Sequence, residues 1–251
     1  MKIGITKQFA LGIAVIASSV FHSEAQAFTF TQTEAQNLQD QNQELFDFFK
    51  SQVNKERAAL SETDLQPLDA NGLLFDTSET VEIYFIHEGA GYKNQVLFTA
   101  DDQAPAMLIE NASLQGSGGD LKAGDGFILS DFEGLSGIAQ FEFLIASNGY
   151  GKSNPTLLYT DASKNSDGLE HVTAFGYTDE STGDYYTFIG FEDIVGGGDL
   201  DYNDVVLVAK GFQNPDVDVP EPMSSLAVLA VGAVAAGGAL KKKDGIRATS
   251  R

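Results

Sequence analysis

From Val81 to Ala209 the chain is a string of short apolar runs cut apart by Gly, Asn and Asp, a punctuation that long helices cannot survive. Runs of strand character are Val81 to Ile86, Gln95 to Thr99, Ala106 to Ile109, Gly126 to Leu129, Gln140 to Ala146, Leu157 to Tyr159, His171 to Tyr177, Tyr185 to Phe191 and Val205 to Ala209. Several alternate apolar with polar or small residues, as in Phe141-Glu142-Phe143, so that one face is built for burial and the other for water. Two sheets packed face to face solve this burial problem. The expected fold is therefore mainly β, an antiparallel, jelly-roll-like β-sandwich over residues 67–214, with no internal repeat and no second domain boundary within it.

Ahead of this domain, residues 28–66 form a segment of different character. Ala35, Leu38, Leu45, Phe49 and Val53 recur at helical spacing, and Thr31 with Glu34 has the form of a capping box. These features predict one amphipathic helix from Thr31 to Leu60. Its apolar stripe is expected to pack on its own domain, with partner binding as the alternative.

Both ends of the chain carry the marks of targeting segments rather than of a fold. Lys2 and Lys7 precede or flank an apolar run from Phe9 to Val20, and Ala25-Gln26-Ala27 is a small-x-small site. Residues 1–27 are thus expected to be a signal peptide removed by signal peptidase, the run being well short of the ~20 residues that a spanning helix needs. At the other end, residues 215–251 read as a linker and a tail. Val219-Pro220-Glu221-Pro222 is followed by Ser224 to Leu240 without a charge, then by Lys241, Lys242, Lys243, Arg247 and Arg251. Residues 224–240 suit a transmembrane helix at the short end of the range. The basic cluster behind them predicts a cytoplasmic C-terminus, and hence a domain outside. The segment is rich in Ala and Gly and inserts weakly, as fits transient membrane insertion.

This tail resembles the PEP-CTERM sorting tail of diderm bacteria, whose carriers are substrates of exosortase, an exosortase-like membrane transpeptidase being the partner implied. The resemblance implies cleavage near Glu221-Pro222 and an exported protein, placed at the cell surface or in an extracellular matrix after transient anchoring in the inner membrane.

Charge narrows the function further. Between Phe28 and Glu221 there are 34 acidic residues against 8 Lys and Arg, a net charge of −26, which excludes nucleic acid as a partner. Such self-repulsion destabilises a compact chain unless cations neutralise part of it. Cysteine is absent, removing disulfides, thiolate metal sites and cysteine nucleophiles.

The acid is concentrated where the strands end. Asp167 to Ala209 holds Asp167, Glu170, Asp179, Glu180, Asp184, Glu192, Asp193, Asp199, Asp201 and Asp204 with no Lys or Arg. Within it, Asp199, Asp201 and Asn203 carry side-chain oxygens two residues apart, and Glu192, Asp193 and Asp204 can close around them. Calcium takes six to eight oxygens, and alternate residues of a loop can converge on one ion. Gly196, Gly197 and Gly198 allow the backbone to turn sharply and offer carbonyls. The expected metal ligands are Glu192, Asp193, Asp199, Asp201, Asn203 and Asp204, and the expected cofactor is Ca2+; zinc is poorly served by a region whose only histidines are His87 and His171. The alternative is an acidic turn whose side chains bond their own backbone. A looser run, Asp161-x-Ser163-x-Asn165-x-Asp167-Gly168-x-Glu170, has the same spacing but Ser166 where an EF-hand needs Gly, and reads as an ordinary turn.

Asp167-Gly-Leu-Glu-His-Val172, followed by the run from Phe191 through Gly196, Asp199 and Asn203 to Val206, resembles the bacterial domain of unknown function 4114, over roughly Val81 to Phe212. The resemblance implies a β-rich extracellular module without established catalytic activity, its acidic positions Glu192, Asp193, Asp199, Asp201, Asn203 and Asp204 being suspected of calcium binding. No catalytic residues are expected, and the chain is read as a non-enzymatic surface or matrix component. The alternative is a module that binds or hydrolyses extracellular polysaccharide, with Tyr84, Tyr92, Tyr150, Tyr177, Tyr185 and Tyr186 as the aromatic residues open to sugars in a chain without Trp. The run Phe85 to Gln95, with His87 and Glu88, reads as a strand-turn-strand link.

Overall fold

The computed structural model describes residues 28–53 and 65–215. The expected signal segment 1–27 and the tail with its apolar stretch 224–240 lie outside the described residues. Among the described residues no helix is long and apolar enough to cross a membrane.

Among the described residues twelve strands form two antiparallel sheets. The larger is ordered β1 (Thr29–Ala35), β7 (Gly126–Glu133), β4 (Val81–Glu88), β12 (Val205–Lys210), β11 (Tyr185–Phe191), β10 (Val172–Thr178) and β2 (Gln66–Leu68). The smaller is ordered β3 (Leu73–Asp76), β8 (Ile138–Ser147), β5 (Gln95–Ala100) and β6 (Ala106–Ile109), with β9 (Thr156–Tyr159) also on β8. β8 is the spine of this sheet. One of its edges pairs with β5, while the other is shared by β3 at its start and β9 at its end.

Alternation along the strands builds the core between the sheets. Val96 and Phe98 of β5 and Phe141, Phe143 and Ile145 of β8 face Ile83, Phe85, Ile189, Phe191, Val205 and Leu207 of the larger sheet. Phe98 and Phe141 stack with ring centres 4.3 Å apart, and Phe143 meets Phe191 edge-on at 6.1 Å.

The larger sheet is buried on its other face as well. Helix α2 (Gln43–Gln52), preceded by the single turn α1 (Leu38–Gln41), lays Leu45, Phe46 and Phe49 over Tyr84, Ile86, Phe175, Phe188, Val206 and Val208. This explains why β12 is apolar at every position from Val205 to Ala209 where a half-wetted strand would alternate. The helix therefore packs on its own domain.

The helical reading of Thr31 to Leu60 is corrected at its start. Thr31 and Glu34 form no capping box but lie in β1, opposite Ser130 and Phe127 of β7. Thr29, Phe30, Thr31 and Thr33 favour an extended edge strand, and this preference wins over a helical pattern that only Ala35 carried into the segment. The actual caps are asparagines: Asn37 Oδ1 accepts from the Gln39 N–H, and Asn42 Oδ1 from the Leu45 N–H. All nine strand runs read from the sequence are strands; β1, β2 and β3 were not among them.

Candidate metal centre

β11 and β12 are adjacent antiparallel strands, and the thirteen residues between them, Glu192 to Asp204, form a loop pinned at its neck. The Asp204 N–H donates to the Phe191 carbonyl at 3.2 Å, and the Asp193 N–H to Asp204 Oδ2 at 2.7 Å. The tip turns through Gly196, Gly197 and Gly198, all at positive φ. Gly198 has a second reason to lack a side chain, because a Cβ there would stand 2.3 Å from Glu192 Oε1. Leu200 and Tyr202 also hold positive φ, at 60° and 55°, a conformation uncommon outside glycine that tends to mark constrained loops.

The loop folds its acids onto one another. Glu192, Asp199 and Asp201 bring carboxylate oxygens within 4.8 Å of one another, and so do Glu192, Asp193 and Asp204. Glu192 belongs to both groups. It is only 1% exposed and Asp193 only 2%. Asn203 joins through Asp201, donating from Nδ2 to Asp201 Oδ2 at 2.5 Å. All six residues singled out in the sequence thus sit in one cluster.

Carboxylates crowded together away from water resist ionisation. Burial, then the charges of Asp204 and Asp199, push Glu192 up to about 8. Burial, with the charges of Asp193 and Asp201, raises Asp204 to about 6. Asp193 and Asp201 are raised as well, chiefly by burial. Among the described residues no lysine or arginine forms an ion pair with any of them.

The supports of the loop come from elsewhere in the chain. Asn94, fully buried, donates from Nδ2 to Asp193 Oδ2 at 2.6 Å and accepts the Asn148 N–H on Oδ1. His171, also fully buried, sets Nδ1 2.9 Å from the Glu192 carbonyl and Nε2 2.9 Å from Asp167 Oδ2. Both ring nitrogens thus face oxygen atoms of the loop and its flank. Asp167 also accepts the Gly196 N–H at 2.6 Å, the main reason its carboxyl is held down at about 2. Gly89 lies so close that a Cβ would meet Asn203 Oδ1 at 2.5 Å.

These supports escaped the sequence reading, although His171 and Asp167 lie four apart within the run quoted for the family resemblance. The looser run from Asp161 to Glu170 is a turn, as read: Asp161 accepts the Ser163 N–H, and buried Asn165 bonds Tyr159 and Leu169 backbone. His87 stands apart from the acids, with Nδ1 2.8 Å from Lys50 Nζ, and burial lowers it to about 4. The link from β4 to β5 that follows it crosses from one sheet to the other.

The donors in the cluster are all oxygens, the chemistry of a hard cation such as calcium and a poor match to zinc or copper. Neither the curated proteins nor the solved structures contain a match to the chain. A family model does match, from Phe98 in β5 to Gly211 just past β12, a shorter span than the run from Val81 expected from the motif. Residues 98–211, the acidic loop included, are similar to the Domain of unknown function (DUF4114).

Proposed function

We propose that this chain is an exported, non-catalytic component of the cell surface or extracellular matrix, whose β domain is stabilised by calcium held in the loop from Glu192 to Asp204. The observation that carries this reading is the set Glu192, Asp193 and Asp204: carboxylates within 4.8 Å of one another, the first two buried, with no lysine or arginine paired to them among the described residues. Such a group folds only if protons or a cation relieve its repulsion. Outside a cell calcium is plentiful, and sites of ~10⁻⁴ to 10⁻³ M affinity are filled there. Glu192, Asp193, Asp199, Asp201, Asn203 and Asp204 would hold the ion; its role is structural, joining the two ends of the loop across the β11–β12 edge.

A hydrolase is the weaker reading. Glycoside hydrolysis uses two carboxylates about 5 to 9.5 Å apart across a cleft, whereas these converge on one another within 4.8 Å.

Thermal melting in chelator and in millimolar calcium tests the metal. A hundredfold excess of calcium over its dissociation constant contributes about 2.7 kcal/mol, so the melting temperature should rise by about 5 to 10 °C. Superimposable melting curves would defeat the proposal. Export rests on the two ends of the chain, Ala25-Gln26-Ala27 and the tail from Val219. Processing of that tail by an exosortase-like transpeptidase predicts that mass spectrometry of surface material finds no peptide from Lys241 to Arg251. Recovery of the intact tail on the mature protein would overturn it.

A further inference from the structure

The outer face of the five-stranded sheet carries a second constellation, apart from the acidic loop. Phe98 and Ala100 of β5 and Phe141 and Phe143 of β8 point into the core, so Thr99 and Glu142, which stand directly opposite each other, project outward. Both are nevertheless more than nine-tenths buried, at 5% and 7% exposed. Two loops fold over them. The β5–β6 turn brings Asp102, Gln103 and Pro105, with the Thr99 hydroxyl donating to the Gln103 carbonyl. The turn after β9 brings Lys164, whose Nζ lies 2.7 Å from Glu142 Oε2 and 5.6 Å from the centre of the Tyr159 ring. Asn165 clamps this turn through both its amide atoms, so Lys164 and Tyr159 are presented from a fixed backbone.

Between the two loops opens a cleft of about 360 Å³, lined by Thr99, Asp102, Gln103, Pro105, Tyr159 and Lys164. That volume sits at the small end of ligand sites. Its hydrogen-bonding capacity is unbalanced. Gln103 Oε1, on a lining residue, is a buried acceptor without a donor, as is Glu142 Oε1 behind the lining, and the Asp102 carboxylate is exposed at the rim. Lys164 is the one cation among the lining residues. Each buried acceptor left unbonded costs about 1 to 3 kcal/mol, so a molecule rich in donors is favoured there. Pro105 and the Tyr159 ring add an apolar wall.

We infer that this cleft binds an uncharged, hydroxyl-rich sugar ring, its hydroxyls donating to Asp102 and toward Gln103, its C–H face against Tyr159, and Lys164 donating to a ring or hydroxyl oxygen. Acidic sugars are disfavoured by Asp102, Asp161 and the −26 charge around them. None of the six tyrosines open to sugars on sequence grounds lines this cleft: Tyr84, Tyr177 and Tyr186 pack beneath α2, while Tyr92 and Tyr150 are exposed elsewhere.

Saturation-transfer NMR on the full chain, with glucose, galactose, mannose and N-acetylglucosamine as probes and glucuronate as the comparison, tests the inference. Transfer to at least one neutral sugar is expected, with affinity falling about tenfold in Tyr159→Leu and in Asp102→Asn, and glucuronate binding more weakly than that sugar. Lys164→Met would remove the ion-pair partner of buried Glu142, and so risks unfolding; Asp102 is exposed, and its variant should melt with the parent. No transfer to any neutral sugar at tens of millimolar, or binding that both variants leave unchanged, would overturn the assignment, as would glucuronate binding as well as the best neutral sugar.

Discussion

Glu192 is shared by both carboxylate groups of the loop, is 1% exposed, and has its carboxylate over Gly198 where nothing larger fits. Without a cation its charge is costly; with one it is a ligand to whatever either group holds. Glu192→Gln separates these roles, because the amide keeps the shape and its oxygen can still accept the Leu200 N–H while the charge goes. In chelator the variant should melt higher than the parent, by the few degrees that removal of roughly 1 kcal/mol of buried charge repulsion implies. Its response to calcium should shrink or vanish. A variant that melts lower in chelator and keeps the full calcium response would show that Glu192 is neither a repelled charge nor a ligand.

The elements were legible in the sequence where an apolar run is long enough to stand out, the doubly covered β4, β10, β11 and β12 included, and less so where the strand is short. β8 alternates from Ile138 to Phe141 and β5 from Gln95 to Phe98, and both were read directly. β2 and β3, of three and four residues, offer too few positions to establish a period, and β2 carries Pro67, tolerated there because the strand lies at the edge of its sheet. β1 was mistaken for the start of a helix because Ala35 happens to fall three residues before Leu38, in phase with Leu45 and Phe49, which are the ones that truly face the sheet. Within the acidic loop the six oxygen-bearing residues could be read from spacing alone, since the loop is contiguous in the chain. Asn94 could not: it reaches Asp193 across 99 residues, and only the pairing of β4 with β12, which sets Glu88 opposite Val205, brings that part of the chain to the loop.

For the whole molecule, these carboxylates set how stability responds to pH. An unfolded Asp or Glu titrates near 4, whereas the folded protein holds Glu192 at about 8 and Asp204 at about 6, with Asp193 and Asp201 also raised. Between pH 4 and 8 the folded state therefore binds more protons than the unfolded, and stability must fall as pH rises through that window. Asp167, held at about 2, and Asp76, Asp161 and Asp179, lowered by bonds from Ser78, Ser163 and Ser181, act in the opposite sense. Their contribution is present above pH 4 and is lost as the solution is acidified through their folded values. In chelator, then, the melting temperature should be highest near pH 4 to 5 and decline on both sides. Calcium competes with the protons on the raised group, so in millimolar calcium the alkaline decline should flatten and the gap between the two curves widen from pH 5 to pH 8. Parallel curves would mean that the ion does not bind where the protons do. A chelated protein that grows more stable toward pH 8 would mean that the buried carboxylates are not opposed in the way their crowding requires.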